Sequence, residues 1–329
     1  MNIGEILLPV AALGGLGLVL GLGLAVASKL LAVKVDPNIA KVNELLPGAN
    51  CGGCGYPGCS GFAKALCEGD CEVGQCSVLS EENLQAIGEL LGVEATIGER
   101  RVARVLCRGD EENCATRFEY YGLNDCRAAA MLAGGPASCR FACVGLLTCA
   151  SVCPFDAICL NEHGIATVDE SRCTACGKCV EACPKDAIHI MDEGSRVYIN
   201  CRNTDKGKDV MQACKAGCIG CGLCAKKCPE GAITMENNLP VYDYEKCTNC
   251  GVCAVVCPKG SIALKEPITQ TAVIYEDPCI GCGICKKACP TGAIKGEIKE
   301  LHVVNPKKCA ACGICVEKCP KDAIELCDR

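Results

Sequence analysis

Cys279 to Pro290 reads C-I-G-C-G-I-C-K-K-A-C-P, with three cysteines three residues apart and a fourth four residues later, directly before a proline. Thiolates at this spacing suit a cubic iron–sulfur cluster. The first three take three of its irons, and the fourth reaches a second cluster nearby. The chain repeats the pattern six times between Cys139 and Pro320, once in a loosened form. The rest of the sequence reads as support for a wire of such clusters.

The loosened run is Cys139, Cys143, Cys149 and Cys153, with gaps of three, five and three residues. The strict runs are Cys173, Cys176, Cys179 and Cys183; Cys218, Cys221, Cys224 and Cys228; Cys247, Cys250, Cys253 and Cys257; Cys279, Cys282, Cys285 and Cys289; and Cys309, Cys312, Cys315 and Cys319. Each closes on a matching tail: CPFDAI, CPKDAI, CPEGAI, CPKGSI, CPTGAI and CPKDAI. The proline stops the turn that carries the fourth thiol, and the Ala-Ile or Ser-Ile begins a short buried segment. A thiol store would have no need of a repeated apolar tail.

Loop lengths pair the runs. Cys153 to Cys173, Cys228 to Cys247 and Cys289 to Cys309 enclose 19, 18 and 19 residues, whereas Cys183 to Cys218 encloses 34. Three bacterial two-cluster ferredoxin-like units follow, and in each the fourth cysteine crosses to the partner cluster. Cys183 is therefore expected with Cys139, Cys143 and Cys149, and Cys153 with Cys173, Cys176 and Cys179. Likewise Cys257 goes with Cys218, Cys221 and Cys224, and Cys319 with Cys279, Cys282 and Cys285. By the same crossing, Cys228 goes to the Cys247 run and Cys289 to the Cys309 run.

The 329 residues carry 37 Cys, no Trp, seven Tyr and four Phe. So few aromatics argue against several ordinary cores, and clusters can replace them by tying distant backbone points together. In a short secreted chain this cysteine content would suggest disulfides. Here the spacings are ligand spacings, and clusters need thiolates in a reducing compartment.

Ile6 to Ser28 carries no charge and is bounded by Glu5 and Lys29. As a helix it would rise about 34 Å, enough for a hydrocarbon core of about 30 Å. It lacks the basic start and short apolar stretch of a cleaved leader. An uncleaved single-pass anchor is expected, with Lys29 and Lys34 holding the cluster domains on the cytoplasmic side of a prokaryotic plasma membrane. Gly14, Gly17 and Gly21 offer a face for close packing on another membrane helix.

C-G-G-C-G-Y-P-G-C then supplies Cys51, Cys54 and Cys59, with a fourth ligand to come from Cys67, Cys71 or Cys76. Its glycines let the loop curl and aim amides at sulfide. The G-x-G-x-x-G embedded in it is not a dinucleotide site, because no strand precedes it and Pro57 stands where a helix should start. A zinc site would more often use two cysteine pairs across a longer loop. Downstream, Leu84, Ile87, Leu90 and Leu91 predict a helix over Glu81–Val93. Arg101–Leu106 alternates as a strand does.

This nonapeptide, with a further cysteine after sixteen intervening residues, resembles the iron–sulfur domain of the B subunit of the Rnf complex, an ion-translocating ferredoxin:NAD+ oxidoreductase. Asp125-Cys126-Arg127-Ala128-Ala129 and Gly134-Gly135-Pro136 resemble the same family, and the likeness covers roughly residues 1–190. It implies Cys76 as the fourth ligand. It also implies an electron-transfer subunit that accepts electrons from soluble reduced ferredoxin and relays them to membrane and flavin-bearing subunits, without a substrate-converting site of its own. Family members of short form stop after one ferredoxin pair, and this chain has three.

The expected architecture is α+β. It comprises a transmembrane anchor (1–34), a four-Cys iron–sulfur domain (35–94), a connector (95–135), and ferredoxin-like pairs at 136–197, 198–264 and 265–329. Seven 4Fe-4S clusters would use 28 cysteines, leaving Cys67, Cys71, Cys107, Cys114, Cys126, Cys159, Cys201, Cys214 and Cys327. Those in the connector and the long spacer are either small buried hydrophobes or, in part, ligands of an eighth cluster. His163, His189 and His302 have no ligand company and read as solvated or packed.

Net charge is −6, but it is unevenly spread. Residues 196–265 hold ten basic and six acidic side chains and 278–329 nine and six, against five and thirteen in 68–125. The basic C-terminal half, with Lys226-Lys227, Lys286-Lys287 and Lys307-Lys308, suits an acidic electron donor. On that reading the last pair is an antenna that meets ferredoxin before the Cys51 domain near the membrane receives the electron. Nucleic acid is not an expected partner. A polyferredoxin component of a hydrogenase or heterodisulfide reductase system is the alternative, and a non-enzymatic iron–sulfur carrier a more remote one.

Overall fold

The computed structural model describes residues 3–30, 36–95 and 100–329; of 3–12 and 28–30 the helical backbone alone is described. Helix α1 (Ile3–Leu30) is apolar on every side over residues 13–27, where Leu13, Leu16, Leu18, Val19, Leu20, Leu22, Leu24 and Val26 are exposed. Among the described residues no helix is long and apolar enough to cross a membrane. The stretch of α1 with described side chains, residues 13–27, rises only about 22 Å. The expected span Ile6–Ser28 extends onto side chains outside the described residues.

A small helical body follows. Asp36 caps α2 (Pro37–Leu45) by accepting from the Asn38 N–H at 2.8 Å, with Pro37 at the first helical position where its missing N–H does no harm. α3 (Cys59–Glu68) and α4 (Glu81–Leu91) pack on it through Val42, Phe62, Leu66, Leu84 and Ile87. Ser80 caps α4. The helix stops at Leu91, two residues before the expected Val93, because Gly92 turns left-handed at φ 69°.

The remainder is built from two-stranded antiparallel sheets joined by short helices. First come β1 (Arg101–Val105), α5 (Cys126–Met131), α6 (Thr148–Ser151), β2 (Ile158–Leu160), β3 (Ala166–Val168), α7 (Lys178–Ala182) and β4 (Ile188–Asp192). Next are β5 (Val197–Ile199), α8 (Gly207–Ala213), α9 (Leu223–Lys227), β6 (Ile233–Glu236), β7 (Leu239–Tyr242), α10 (Val252–Val256) and β8 (Ile262–Leu264). Last are β9 (Gln270–Ile274), α11 (Ile284–Ala288), β10 (Ile294–Lys295), β11 (Val303–Val304), α12 (Ile314–Glu317) and β12 (Ile324–Asp328). The pairings β5–β8 and β9–β12 join the first and last strands of the second and third units, and β6–β7 and β10–β11 are hairpins inside them.

The first unit differs in one respect. Its last strand, β4, pairs with β1, so the strand expected at Arg101–Leu106 takes the place that β5 and β9 hold elsewhere. Arg104 pins this sheet. It is 3% exposed, donates to Glu170 Oε1 at 2.9 Å, Ser195 O at 2.6 Å and Glu193 O at 3.0 Å, and lies over the Tyr198 ring.

The repeated tails explain themselves in the packing. Ile158, Ile188, Ile233, Ile262, Ile294 and Ile324 each open a strand and are buried. The preceding Ala157, Ala187, Ala232, Ala293 and Ala323 are 1–3% exposed, which leaves no room for a larger side chain. In the fourth run Ser261 replaces alanine, and its hydroxyl donates to Ala216 O at 2.8 Å. Branched aliphatics, alanines and the cysteines make up the buried residues of these cores, in place of aromatics.

Candidate metal centres

Four cavities lie in the ferredoxin-like units, and each is lined by four cysteines. The sets are Cys153, Cys173, Cys176 and Cys179; Cys218, Cys221, Cys224 and Cys257; Cys279, Cys282, Cys285 and Cys319; and Cys289, Cys309, Cys312 and Cys315. In every one, three thiols come from one run and the fourth from its partner. Among the described residues no three Cys, His, Asp or Glu side chains converge closely enough to hold a single ion. Four thiols around a larger void suit a cuboid cluster, whereas zinc bonds of about 2.3 Å would draw the sulfurs together.

Local backbone makes these cradles. Ala175, Gly220, Asn249, Gly281 and Ala311 have φ between 53° and 64°, and the glycine after the next cysteine is left-handed too. Left-handed residues on either side of the second cysteine turn the amides inward, as an anion needs. The Ala175 N–H reaches Cys173 Sγ at 3.5 Å and the Ala311 N–H reaches Cys309 Sγ at 3.4 Å, two residues on in each case. In the tails, the Ala293 and Ala323 amides donate to Cys289 and Cys319 at 3.3 Å. Burial pushes the thiols of Cys149, Cys179, Cys253 and Cys315 up to about 12, so thiolates form there only against a compensating positive charge, which metal supplies as protons leave.

In the N-terminal body, the thiol of Cys76 neighbours Cys54, Cys51 and Cys59, and the Val78 amide donates to it. Cys71 instead bonds the Tyr56 hydroxyl, and Cys67 lies toward Asp36 and Glu68.

The loosened run is divided. Cys143 and Cys149 share their surroundings with Cys183, as expected, but the further thiol beside them is Cys126, at the start of α5. The Cys126 N–H donates to Thr148 Oγ1 at 2.7 Å, tying α5 to the residue before Cys149. Cys139, expected in that set, faces Cys201 and Cys214 instead. The spacing of run one concealed this, because Cys126 lies upstream of a loop and belongs to no repeat.

The other single cysteines are scattered. Cys159 is exposed on β2, and Cys327 on β12 lies 3.7 Å from the Tyr275 hydroxyl. His163 and His189 are surface residues near Glu162 and Asp186. His302 is 2% exposed and lines the Cys279 cavity; its Nδ1 donates to Glu300 O at 3.1 Å, while its Nε2 has no partner.

Known families match along the chain. Residues 46–78 match a putative Fe-S cluster family, 166–189 a 4Fe-4S binding domain, and 217–261, 246–293 and 272–326 4Fe-4S dicluster domains. The fold and its sites define a protein with multiple ferredoxin-type 4Fe-4S domains. The B subunit of the Na(+)-translocating ferredoxin:NAD(+) oxidoreductase complex of Acetobacterium woodii is 45% identical, over 73% of this chain and 72% of that protein. The B subunit of the ion-translocating oxidoreductase complex of Methanosarcina acetivorans is 43% identical over 63% and 79%, and that of the proton-translocating complex of Clostridium ljungdahlii 40% over 69% and 81%. The chain belongs to this family, the B subunits of ion-translocating oxidoreductase complexes.

Proposed function

We propose that this chain is the electron-transfer subunit of a membrane-bound, ion-translocating ferredoxin:NAD+ oxidoreductase. It accepts electrons from reduced ferredoxin and relays them toward membrane and flavin-bearing subunits. The observation that carries this reading is the repeated cavity lined by four cysteines, three from one run and one from its partner. Bound clusters would supply one-electron chemistry at potentials set by hydrogen bonds and exposure.

The ligands assigned are Cys51, Cys54, Cys59 and Cys76; the four sets lining the cavities; Cys228 with Cys247, Cys250 and Cys253; and Cys143, Cys149 and Cys183 with Cys126. These account for seven clusters.

The sets also line up. Cys176 neighbours Cys51, and Cys312 neighbours Cys250, so the N-terminal body abuts the first unit and the second abuts the third. At the free end Cys282 is exposed, amid exposed Ile280, Ile284, Ile298, Leu301 and Val303. Lys286, Lys287, Lys307 and Lys308 stand exposed on the same unit. An apolar patch with a basic rim suits an acidic redox partner. α1, apolar on all sides over residues 13–27 with exposed leucines, serves as the membrane anchor, with the cluster domains cytoplasmic.

A complex purified without this chain should keep NADH oxidation by an artificial acceptor and lose ferredoxin-dependent NAD+ reduction. Retention of ferredoxin oxidation without it would overturn the assignment.

A further inference from the structure

We propose that the chain holds an eighth 4Fe-4S cluster on Cys107, Cys139, Cys201 and Cys214, seated between the first and second ferredoxin-like units. This rests on reading the other four-cysteine cavities as cluster sites. A fifth cavity resembles those four in having four cysteines in its wall, and these are the four. No two of them share a run. Cys107 follows β1, Cys139 opens the loosened run, and Cys201 and Cys214 flank α8 in the long spacer.

The local chemistry repeats that of the other sites. At each of the four thiols the amide two residues on points back at sulfur: Gly109 to Cys107 at 3.3 Å, Asn203 to Cys201 at 3.5 Å, Phe141 to Cys139, and Ala216 to Cys214. The nearby Cys114 lacks this amide. Its sulfur accepts from the Cys139 N–H at 3.4 Å and its thiol meets Cys214, so it supports two ligands without being one. Asn203 is 1% exposed and turns Nδ2 to Cys139 Sγ at 3.4 Å. A buried amide aimed at sulfur is costly in a plain apolar core and favourable beside an anionic cluster. Arg108 and Arg202, each next to a ligand, place cationic side chains nearby.

The site also touches a cluster ligand on either side. The Cys143 N–H donates to Cys107 Sγ and the Cys218 N–H to Cys201 Sγ, both at 3.4 Å. One backbone amide thus separates the eighth site from the last cluster of the first unit, and another from the first cluster of the second. The long spacer, which in sequence resembles a break between units, carries the relay that joins them.

Iron and acid-labile sulfide on the reconstituted full-length chain test this, with native mass spectrometry to resolve the increments. The expected content is about 32 irons per chain, four per cluster. Cys201→Ser and Cys214→Ser should each lose about four, and Cys114→Ser none. A wild-type content of about 28, unchanged by the Cys201 and Cys214 variants, would overturn the eighth cluster and leave the other seven standing. Loss of four irons from Cys114→Ser instead would overturn the ligand set. Zinc or little metal in the wild type would sink the underlying cluster reading itself. If a variant sheds much more than one cluster through misfolding, the wild-type count decides alone.

Discussion

Gly53 rests on Cys176: a methyl group at Gly53 would stand 2.8 Å from the Cys176 Cα. The two residues belong to the cysteine loops of the N-terminal body and of the first unit. Ser77 adds a hydroxyl bond to the Thr174 carbonyl. Two cluster loops are thereby held in backbone contact, and only glycine at position 53 permits it.

Gly53→Val should push these loops apart. Overpacking of this kind costs about 1–3 kcal/mol where the neighbour cannot yield, and here the neighbour is backbone. Iron content should stay whole, while the magnetic interaction between the two nearest clusters, read by paramagnetic resonance on the reduced protein, weakens. An unaltered spectrum would show that the contact does not set their distance.

The strict runs, their crossing pairs and the strand at Arg101 are all legible in the sequence, since each is local or repeated at fixed spacing. Cys126 and Cys139 are not. Cys126 belongs to no run, and the thiols facing Cys139 lie in the spacer after β4, so no periodicity records either set. His302 is unremarkable in sequence, yet folding buries it on a cavity wall. The gap of 34 residues stands out among the loop lengths, but its meaning as a site depends on Cys107, far upstream.

Arg104 and Glu170 give a pH signature. Burial would raise the Glu170 carboxyl, but bonds from Arg104 and Lys265 outweigh it and hold the group below its usual range. A depressed carboxylate stabilises the fold above its unfolded value and loses that contribution as pH falls through the folded one. Thermal stability should therefore decline below about pH 4.5. Glu170→Gln should flatten that limb at a lower plateau, measured calorimetrically on anaerobic protein. Arg104→Met, which removes three hydrogen bonds from a buried guanidinium, should lower stability by about 3 kcal/mol.

Cys114→Ala removes a thiol that meets Cys214 while leaving the four inferred ligands in place. Hydrogen bonds to cluster sulfur raise the reduction potential. One cluster should become harder to reduce with total iron unchanged, as followed by redox titration. Serine at the same position should restore most of the shift.

Charge on the C-terminal unit should govern encounter with ferredoxin. Electrostatic steering can raise on-rates by roughly 10- to 1,000-fold and fades as salt shortens its range. Ferredoxin-dependent reduction should slow about tenfold between low and high salt. The double substitution Lys286→Glu with Lys287→Glu should remove most of that dependence. A rate indifferent to salt would place the docking face elsewhere.

β5 and β9 lie within the stretches of chain they complete, whereas the first unit borrows β1 from upstream. The second and third units are thus contiguous cassettes that duplication could add without disturbing what came before. The second does not arrive alone, for Cys201 and Cys214 precede its first run and meet Cys107 and Cys139. Cut after β4, the chain would keep Cys107 and Cys139 but lose the other two cysteines of that cavity, so the second unit completes a cradle that the first leaves half built.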